Sequence, residues 1–214
     1  MFKLYNAARS SASFRMRIAL NLKELPYEYV AIDLRKGGQF TESYRQLNPQ
    51  ELVPLLDDGS AHLTQSLATM EYLEEKYPQP PLLPHAPIDR AYVRSVALAV
   101  ACEIHPLNNL RVLRYLVREM ALPEEKRNTW YRHWVEQGLA QVEAGLVAGG
   151  RFGRYTFADQ VTVADVCIVP QIFNAQRFDC RLDHVPTVMR IFDSCMQLAA
   201  FENARPEKQP DFVD

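Results

Sequence analysis

The sequence has no apolar run near the ~20 residues of a membrane span, so no insertion into a bilayer is expected. It has no C-x-x-C pair. Its four cysteines, Cys102, Cys167, Cys180 and Cys195, all lie in the C-terminal half. Disulfide frameworks suit short secreted chains, so these four read as buried free thiols. The five histidines form no H-E-x-x-H or other paired spacing, and no metal is expected. A surplus of one charge is missing too. A net charge of −2 gives no general reason to expect nucleic acid or an anionic membrane as partner. The start, Met1-Phe2-Lys3-Leu4-Tyr5, runs at once into polar Asn6 and Arg9. It lacks the apolar core of a signal peptide, so a cytoplasmic protein is expected. What the chain does have is 214 residues, 48% of them hydrophobic, enough for two small domains with a sizeable core.

Phe2-Lys3-Leu4-Tyr5 reads as a short strand, and residues 12–23 switch to a helical period with Phe14, Ile18 and Leu22 four apart. Tyr27 to Leu34 is β-rich and ends at Gly37-Gly38. A short helix is expected around Thr41–Leu47. Leu55-Leu56 and His62-Leu63 flank Asp57-Asp58-Gly59-Ser60, a hairpin pattern. Ser66 can cap a helix running to about Tyr77, with Leu67, Met70 and Leu73 inward. The order is βαβ-α-ββα over about 80 residues. Residues 78–87 then hold five of the fourteen prolines and read as a linker. Beyond it helical patterns dominate. One long helix is expected from Ile88 to about Met120, kinked at Pro106. A second starts at Pro123-Glu124-Glu125 and ends at Gly149-Gly150. A third begins at Thr162-Val163-Ala164-Asp165, where Thr162 and Asp165 have capping-box spacing, with Val161 and Val166 at the staple positions. The expected domains are residues 1–80, mixed α/β, and 88–214, all helical.

Four segments could carry chemistry, and each has a plain structural reading beside it. Arg9-Ser10-Ser11 opens the first helix, where backbone N–H groups favour an anion and a serine hydroxyl could donate to a thiolate. No cysteine lies there, so any thiolate must come from a ligand; the plain reading is an N-cap. Val53-Pro54 precedes a strand. A cis bond there would turn backbone outward to pair with a peptide, whereas a trans bond is the commoner state. Gln65-Ser66 puts an amide and a hydroxyl at a helix start, suited to a small carboxylate or simply to capping. Glu103-Ile104-His105-Pro106-Leu107-Asn108-Asn109-Leu110-Arg111 crowds polar groups beside the expected kink, and could equally be a solvated face. Arg177 by itself reads as a surface residue.

Together these segments resemble the zeta class of glutathione transferases, the maleylacetoacetate and maleylpyruvate isomerases. Ser10-Ser11-Ala12-Ser13-Phe14-Arg15-Met16-Arg17-Ile18-Ala19-Leu20 is similar to the class signature S-S-C-S-W-R-V-R-I-A-L. Asn48-Pro49, Val53-Pro54, Gln65-Ser66-Leu67-Ala68 and His105-Pro106-Leu107-Asn108-Asn109 resemble further family motifs. Asp165-Val166-Cys167-Ile168-Val169-Pro170-Gln171 is similar to A-D-x-x-L-V-P-Q. The resemblance implies a thioredoxin-like N-terminal domain, an all-α C-terminal domain, a homodimer, and glutathione as cofactor. It places Ser10 and Ser11 at the glutathione sulfur, Gln39 and the Val53 backbone on the tripeptide, and Gln65 and Ser66 on its γ-glutamyl end. His105 and Asn109 would approach from the helical domain. Arg9, Arg111 and Arg177 fall where the family's cleft lies and would clamp a dicarboxylate substrate. The implied reaction, in aromatic-compound catabolism, is cis–trans isomerisation by reversible thiolate addition to a double bond. Ala12 replaces the signature cysteine. That weakens any role needing a protein–glutathione mixed disulfide and leaves isomerisation open. A general conjugating transferase would want a large apolar second pocket. A non-catalytic binding protein of the same fold would not need Ser10, Gln65 and Ser66 intact.

Overall fold

β1 (Phe2–Asn6) alternates its side chains, with Phe2, Leu4 and Asn6 buried. In the computed structural model, which describes residues 1–213, it is the central strand of a four-stranded sheet. It pairs in parallel with β2 (Tyr27–Ala31), Leu4 facing Tyr29. On its other side it pairs antiparallel with β3 (Leu55–Asp57), Leu4 facing Leu56. β3 turns back on β4 (His62–Thr64), giving the order β2-β1-β3-β4. The hairpin turn is built by aspartates: Asp57 accepts from Gly59 N at 2.8 Å, and Asp58 accepts from Ser60 N and Ala61 N, each at 2.8 Å. The parallel β1–β2 pair is joined by helix α1 (Ser11–Leu22), which buries Phe14, Met16, Ile18 and Leu20. α2 (Glu42–Leu47) lies between β2 and β3, and α3 (Ser66–Lys76) follows β4, burying Met70 and Leu73. This is a thioredoxin-like arrangement.

By compactness the chain divides into two units. The first is Met1–Pro81 together with the chain from Met196 onward, and the second is Leu82–Cys195. The sequence reading had assigned the C-terminal segment to the helical domain. It packs instead in the first unit, because that unit offers it hydrogen-bond partners. Arg17 Nε donates to Ala204 O at 3.0 Å, Asn21 Nδ2 donates to Ala200 O at 3.0 Å, and Asp211 accepts from Ala8 N at 3.0 Å. The proline-rich linker is fastened at its start by Lys23. Its buried ammonium meets Glu74 Oε2 at 2.8 Å, Tyr77 O at 2.7 Å and Pro80 O at 3.0 Å.

The second unit is helical. α4 (Pro87–Leu98) starts on a proline, whose missing N–H costs nothing at a first turn. The expected single long helix to Met120 is broken. A wide π turn (Ala99–Ile104) and a 3₁₀ turn (His105–Asn108) separate α4 from α5 (Leu110–Arg118). Pro106 cannot donate to a carbonyl one turn back and its ring crowds that carbonyl, so the chain rewinds through Asn109, which caps α5. α6 (Glu124–Gly149) buries a stripe of Tyr131, Val135, Leu139, Val142 and Leu146. α7 (Val163–Arg177) is buried almost throughout. Thr162 and Asp165 form the expected capping box, and Asp165 also accepts from Thr156 N at 2.8 Å and Thr156 Oγ1 at 2.9 Å. α8 (Pro186–Met196) completes the helical unit, and the short α9 (Ala199–Glu202) belongs to the first. Three cysteines are buried as expected, but Cys102 is exposed, standing in the π turn. No helix among the described residues is long and apolar enough to cross a membrane.

Candidate glutathione and substrate site

In the first unit the site residues come from loops at the sheet's end. Ala7 O accepts from Ser10 N at 3.1 Å, a tight turn that delivers Ser10 to the head of α1. Ser10 is the N-cap: its Oγ accepts from Ser13 N at 3.2 Å. A hydroxyl that accepts there keeps its own hydrogen to donate, so capping and donation to a sulfur are compatible. Ser11, one residue on, is buried. α1 has no acid in its first turn, which leaves the positive end of its dipole for an outside anion.

α3 starts a second such end. Gln65, not the expected Ser66, occupies its cap position, and Ser66 is the first helical residue. Gln65 has φ +66°, a left-handed setting that costs a non-glycine residue about 1–3 kcal/mol and concentrates at functional sites. No side chain caps α3, and its first turn has no acid. Arg15, buried in α1, donates through Nη1 to Ser66 Oγ at 3.4 Å. The two helix starts are thereby tied through a buried guanidinium, a feature the sequence reading missed. Its signal was an arginine next to Phe14 on the buried side of α1.

Val53 and Gln39 are held by their surroundings. The Val53–Pro54 bond is cis, as the resemblance implied. Just before it, Leu52 O accepts from Asn48 Nδ2 at 2.7 Å and from Tyr44 OH at 2.6 Å. Burial pushes the Tyr44 phenol up to about 12, so it stays a donor at neutral pH. Gln39 sits in a 3₁₀ turn (Gly38–Phe40) entered through left-handed Gly37, φ +75°. Gln39 is only 5% exposed, and its Oε1 has no hydrogen-bond partner. An orphaned buried amide oxygen is costly unless a ligand satisfies it. Glutathione's amides and ammonium are donors of the required kind, so the residues present fit that group.

In the second unit, His105 lies in the 3₁₀ turn and Asn109 caps α5, accepting at Oδ1 from Arg111 N at 3.1 Å. The turn is fixed from behind. Trp130 Nε1 donates to Leu107 O at 2.9 Å, and Gly138 lets α6 come close: a Cβ there would stand 2.4 Å from Ile104 Cγ1. Arg111 is exposed in the first turn of α5, which has no acid. A cation there opposes the helix dipole, an arrangement that a bound anion relieves. Arg177 is the last residue of α7, where the dipole favours a cation, and its guanidinium lies 4.8 Å over the Phe178 ring. Arg9 is exposed in the first unit, stacked 4.9 Å over Phe212.

Residues 4–81 match the family model "Glutathione S-transferase, N-terminal domain". Over 209 residues the chain is 45% identical to the maleylpyruvate isomerase of a Ralstonia species, covering 98% of this chain and 99% of that one. The holo structure of a maleylpyruvate isomerase, described as a bacterial zeta-class glutathione S-transferase, matches at TM-score 0.96 and 44% identity, covering 99% and 100% of the two chains. A Methylobacterium extorquens maleylacetoacetate isomerase, solved with malonate and glutathione bound, matches at TM-score 0.96 and 40% identity with the same coverage. A thioredoxin-like sheet and a helical unit define the glutathione transferase class of fold. Within it, this chain belongs to the zeta-class family of maleylacetoacetate and maleylpyruvate isomerases.

Proposed function

We propose that this protein is a glutathione-dependent cis–trans isomerase that converts maleylpyruvate or maleylacetoacetate to the fumaryl isomer. The observation that carries the reading is the pair of acid-free helix starts, α1 and α3, joined by the buried Arg15–Ser66 contact, with the orphaned Gln39 oxygen in the same unit. Glutathione, when bound, supplies a thiolate nucleophile that the head of α1 lacks. Ser10 donates to that sulfur and favours its anionic form, with Ser11 the adjacent alternative donor. Gln39 and the Val53 backbone hold the tripeptide, and Gln65 and Ser66 take its γ-glutamyl carboxylate. His105 and Asn109 contact it from the helical unit. Arg9, Arg111 and Arg177 hold the substrate carboxylates, because a planar guanidinium fork matches a carboxylate and an apolar pocket would leave those charges uncompensated. The same cations stabilise negative charge that builds on substrate oxygens. Ala12 removes any protein thiol from the head of α1, which suits a reaction that needs only the cofactor's sulfur. The protein works in the cytoplasm as a two-fold homodimer, the commonest oligomer symmetry.

The test is retention on immobilised glutathione, followed by absorbance assays on maleylpyruvate and maleylacetoacetate in parallel. Isomerisation of either supports the reading. Conjugation of apolar electrophiles without isomerisation, or glutathione binding without either activity, refutes it.

A further inference from the structure

The chain's last described residues grip the turn that delivers Ser10. Asp211 Oδ2 accepts from Ala8 N at 3.0 Å, while its Oδ1 accepts from Tyr29 OH on β2. Arg17 holds the other side of the same peptides: Nη2 donates to Ala8 O at 2.9 Å and Nη1 to Ala7 O at 3.3 Å. Its Nε donates to Ala204 O, in the same C-terminal segment as Asp211. Both backbone groups of Ala8 are therefore fixed by charged side chains, two residues before Ser10. Between them, Arg9 lays its guanidinium over Phe212. Arg17 is fully buried, and desolvation lowers its pKa to about 10, so it is still a cation at neutral pH. Asp211 is a charge partner for it. The segment is itself pinned: Gln209 Nε2 donates to Asn203 O and Arg205 O, and Phe212 N donates to Gln209 O.

A charged grip on a backbone N–H from 203 residues away does more than the strand pairing of β1 requires. We propose that the C-terminal segment is a positioning element for the reaction, in which Asp211 sets the Ala8–Ser10 turn, and so the aim of the Ser10 hydroxyl, while Phe212 holds the Arg9 guanidinium. This rests on the roles given above to Ser10 and Arg9. Asp211 and Phe212 touch no substrate; they act through the turn.

The two residues leave different signatures. Asp211→Asn offers a neutral amide to both donors. It should raise the pKa of bound glutathione's thiol and lower kcat about ten-fold, with glutathione affinity changed less than about three-fold. Phe212→Ala should instead raise KM for the dianionic substrate several-fold at unchanged thiol pKa, and Phe212→Tyr should restore it. Amide hydrogen exchange in the ligand-free protein gives a readout independent of glutathione: Asp211→Asn should speed exchange in residues 7–13 about ten-fold or more and spare the helical unit. If wild type binds no glutathione but exchange changes in residues 7–13, the positioning stands and the isomerase reading falls. If Asp211→Asn fails to fold, Phe212→Ala, at a half-exposed position, still decides. A folded Asp211→Asn with wild-type thiol titration and exchange, or Phe212→Ala with wild-type KM, overturns the proposal.

Discussion

Ser10→Ala removes one oxygen with two assigned jobs: the cap that the structure shows and the donation proposed above. The first job is visible: Oγ accepts from Ser13 N at 3.2 Å, capping α1. Losing a serine cap costs about 1 kcal/mol, which for a protein of this size lowers the melting temperature by roughly 2–4 °C. The second job is donation to the cofactor sulfur. A hydrogen bond to a charged acceptor is worth about 1.5–3 kcal/mol, and about 1.36 kcal/mol corresponds to one pKa unit. Without the donor the anion is disfavoured, so the bound thiol's pKa should rise by about one to two units. At neutral pH the thiolate fraction then falls about ten-fold per unit. A more basic thiolate is more nucleophilic, recovering about 0.4–0.5 log unit of rate for each unit of pKa. The net loss at pH 7 is about three- to sixteen-fold, and the ascending limb of the pH–rate profile moves to higher pH. Ser10→Asp keeps the cap, and its charge suits the helix dipole, so it should melt near wild type. Its carboxylate repels the thiolate, so the thiol pKa should rise further than in Ser10→Ala. Thiolate ultraviolet absorbance of bound glutathione, titrated against pH beside thermal melts, reads both quantities. Identical thiol titration in wild type and Ser10→Ala would show that Ser10 is only a cap.

Arg9→Met, Arg111→Met and Arg177→Met should each lower kcat/KM for the dicarboxylate by about ten- to a hundred-fold, the worth of one charge-assisted contact, with glutathione affinity preserved; steady-state kinetics unchanged in all three would dissolve the clamp. Asp165→Asn replaces one of the two oxygens that accept from Thr156 N and Thr162 N, at 2.8 and 2.7 Å, by an NH2 group, leaving one buried N–H facing a donor, and should destabilise the protein by about 1–3 kcal/mol in chemical denaturation. Burial pushes the Asp165 carboxyl above its ordinary value against the bonds from Thr156 and Thr162, and a variant as stable as wild type would mean that those bonds add no net stability. Lys23→Met removes a buried cation that meets Glu74 Oε2 at 2.8 Å and should cost about 3–5 kcal/mol, whereas the double change Lys23→Met/Glu74→Leu should recover much of it; a double variant no better than the single one contradicts the pairing.

The sheet and most helices were legible because their signals are local. Phe2-Lys3-Leu4-Tyr5 alternates, Asp57-Asp58-Gly59-Ser60 spells a turn, and Thr162 with Asp165 spells a capping box; each needs only its neighbours to act. The misreadings share a different cause. Ile88 to Met120 has helical periodicity throughout, and period alone does not show whether a proline kinks a helix or splits it. Contacts from far along the chain also bear on this stretch: α6 comes close at Gly138 to Ile104, 34 positions before it. The C-terminal segment went to the wrong unit for the same reason. Nothing around Ala204 or Asp211 announces that Arg17 and Ala8 receive them, and a buried arginine looks, in one dimension, like an exposed one.

The site shows the limit most clearly. Serine caps a helix with its oxygen lone pairs and serves a thiolate with its hydrogen, so the two readings of Ser10 were never rivals, and no pattern of residues could choose between them. Geometry is compatible with both: Oγ accepts from Ser13 N, and a hydroxyl that accepts keeps its hydrogen to donate. The turn that delivers Ser10 is held by Arg17, within the short motif that pointed to the site, and by Asp211, far outside it. A signature of eleven residues can therefore name the donor, while the turn that carries it is held by a hydrogen-bonded frame that reaches Asp211. Chemistry was readable in the motif because it depends on residue type. Orientation was not, because it depends on what packs behind.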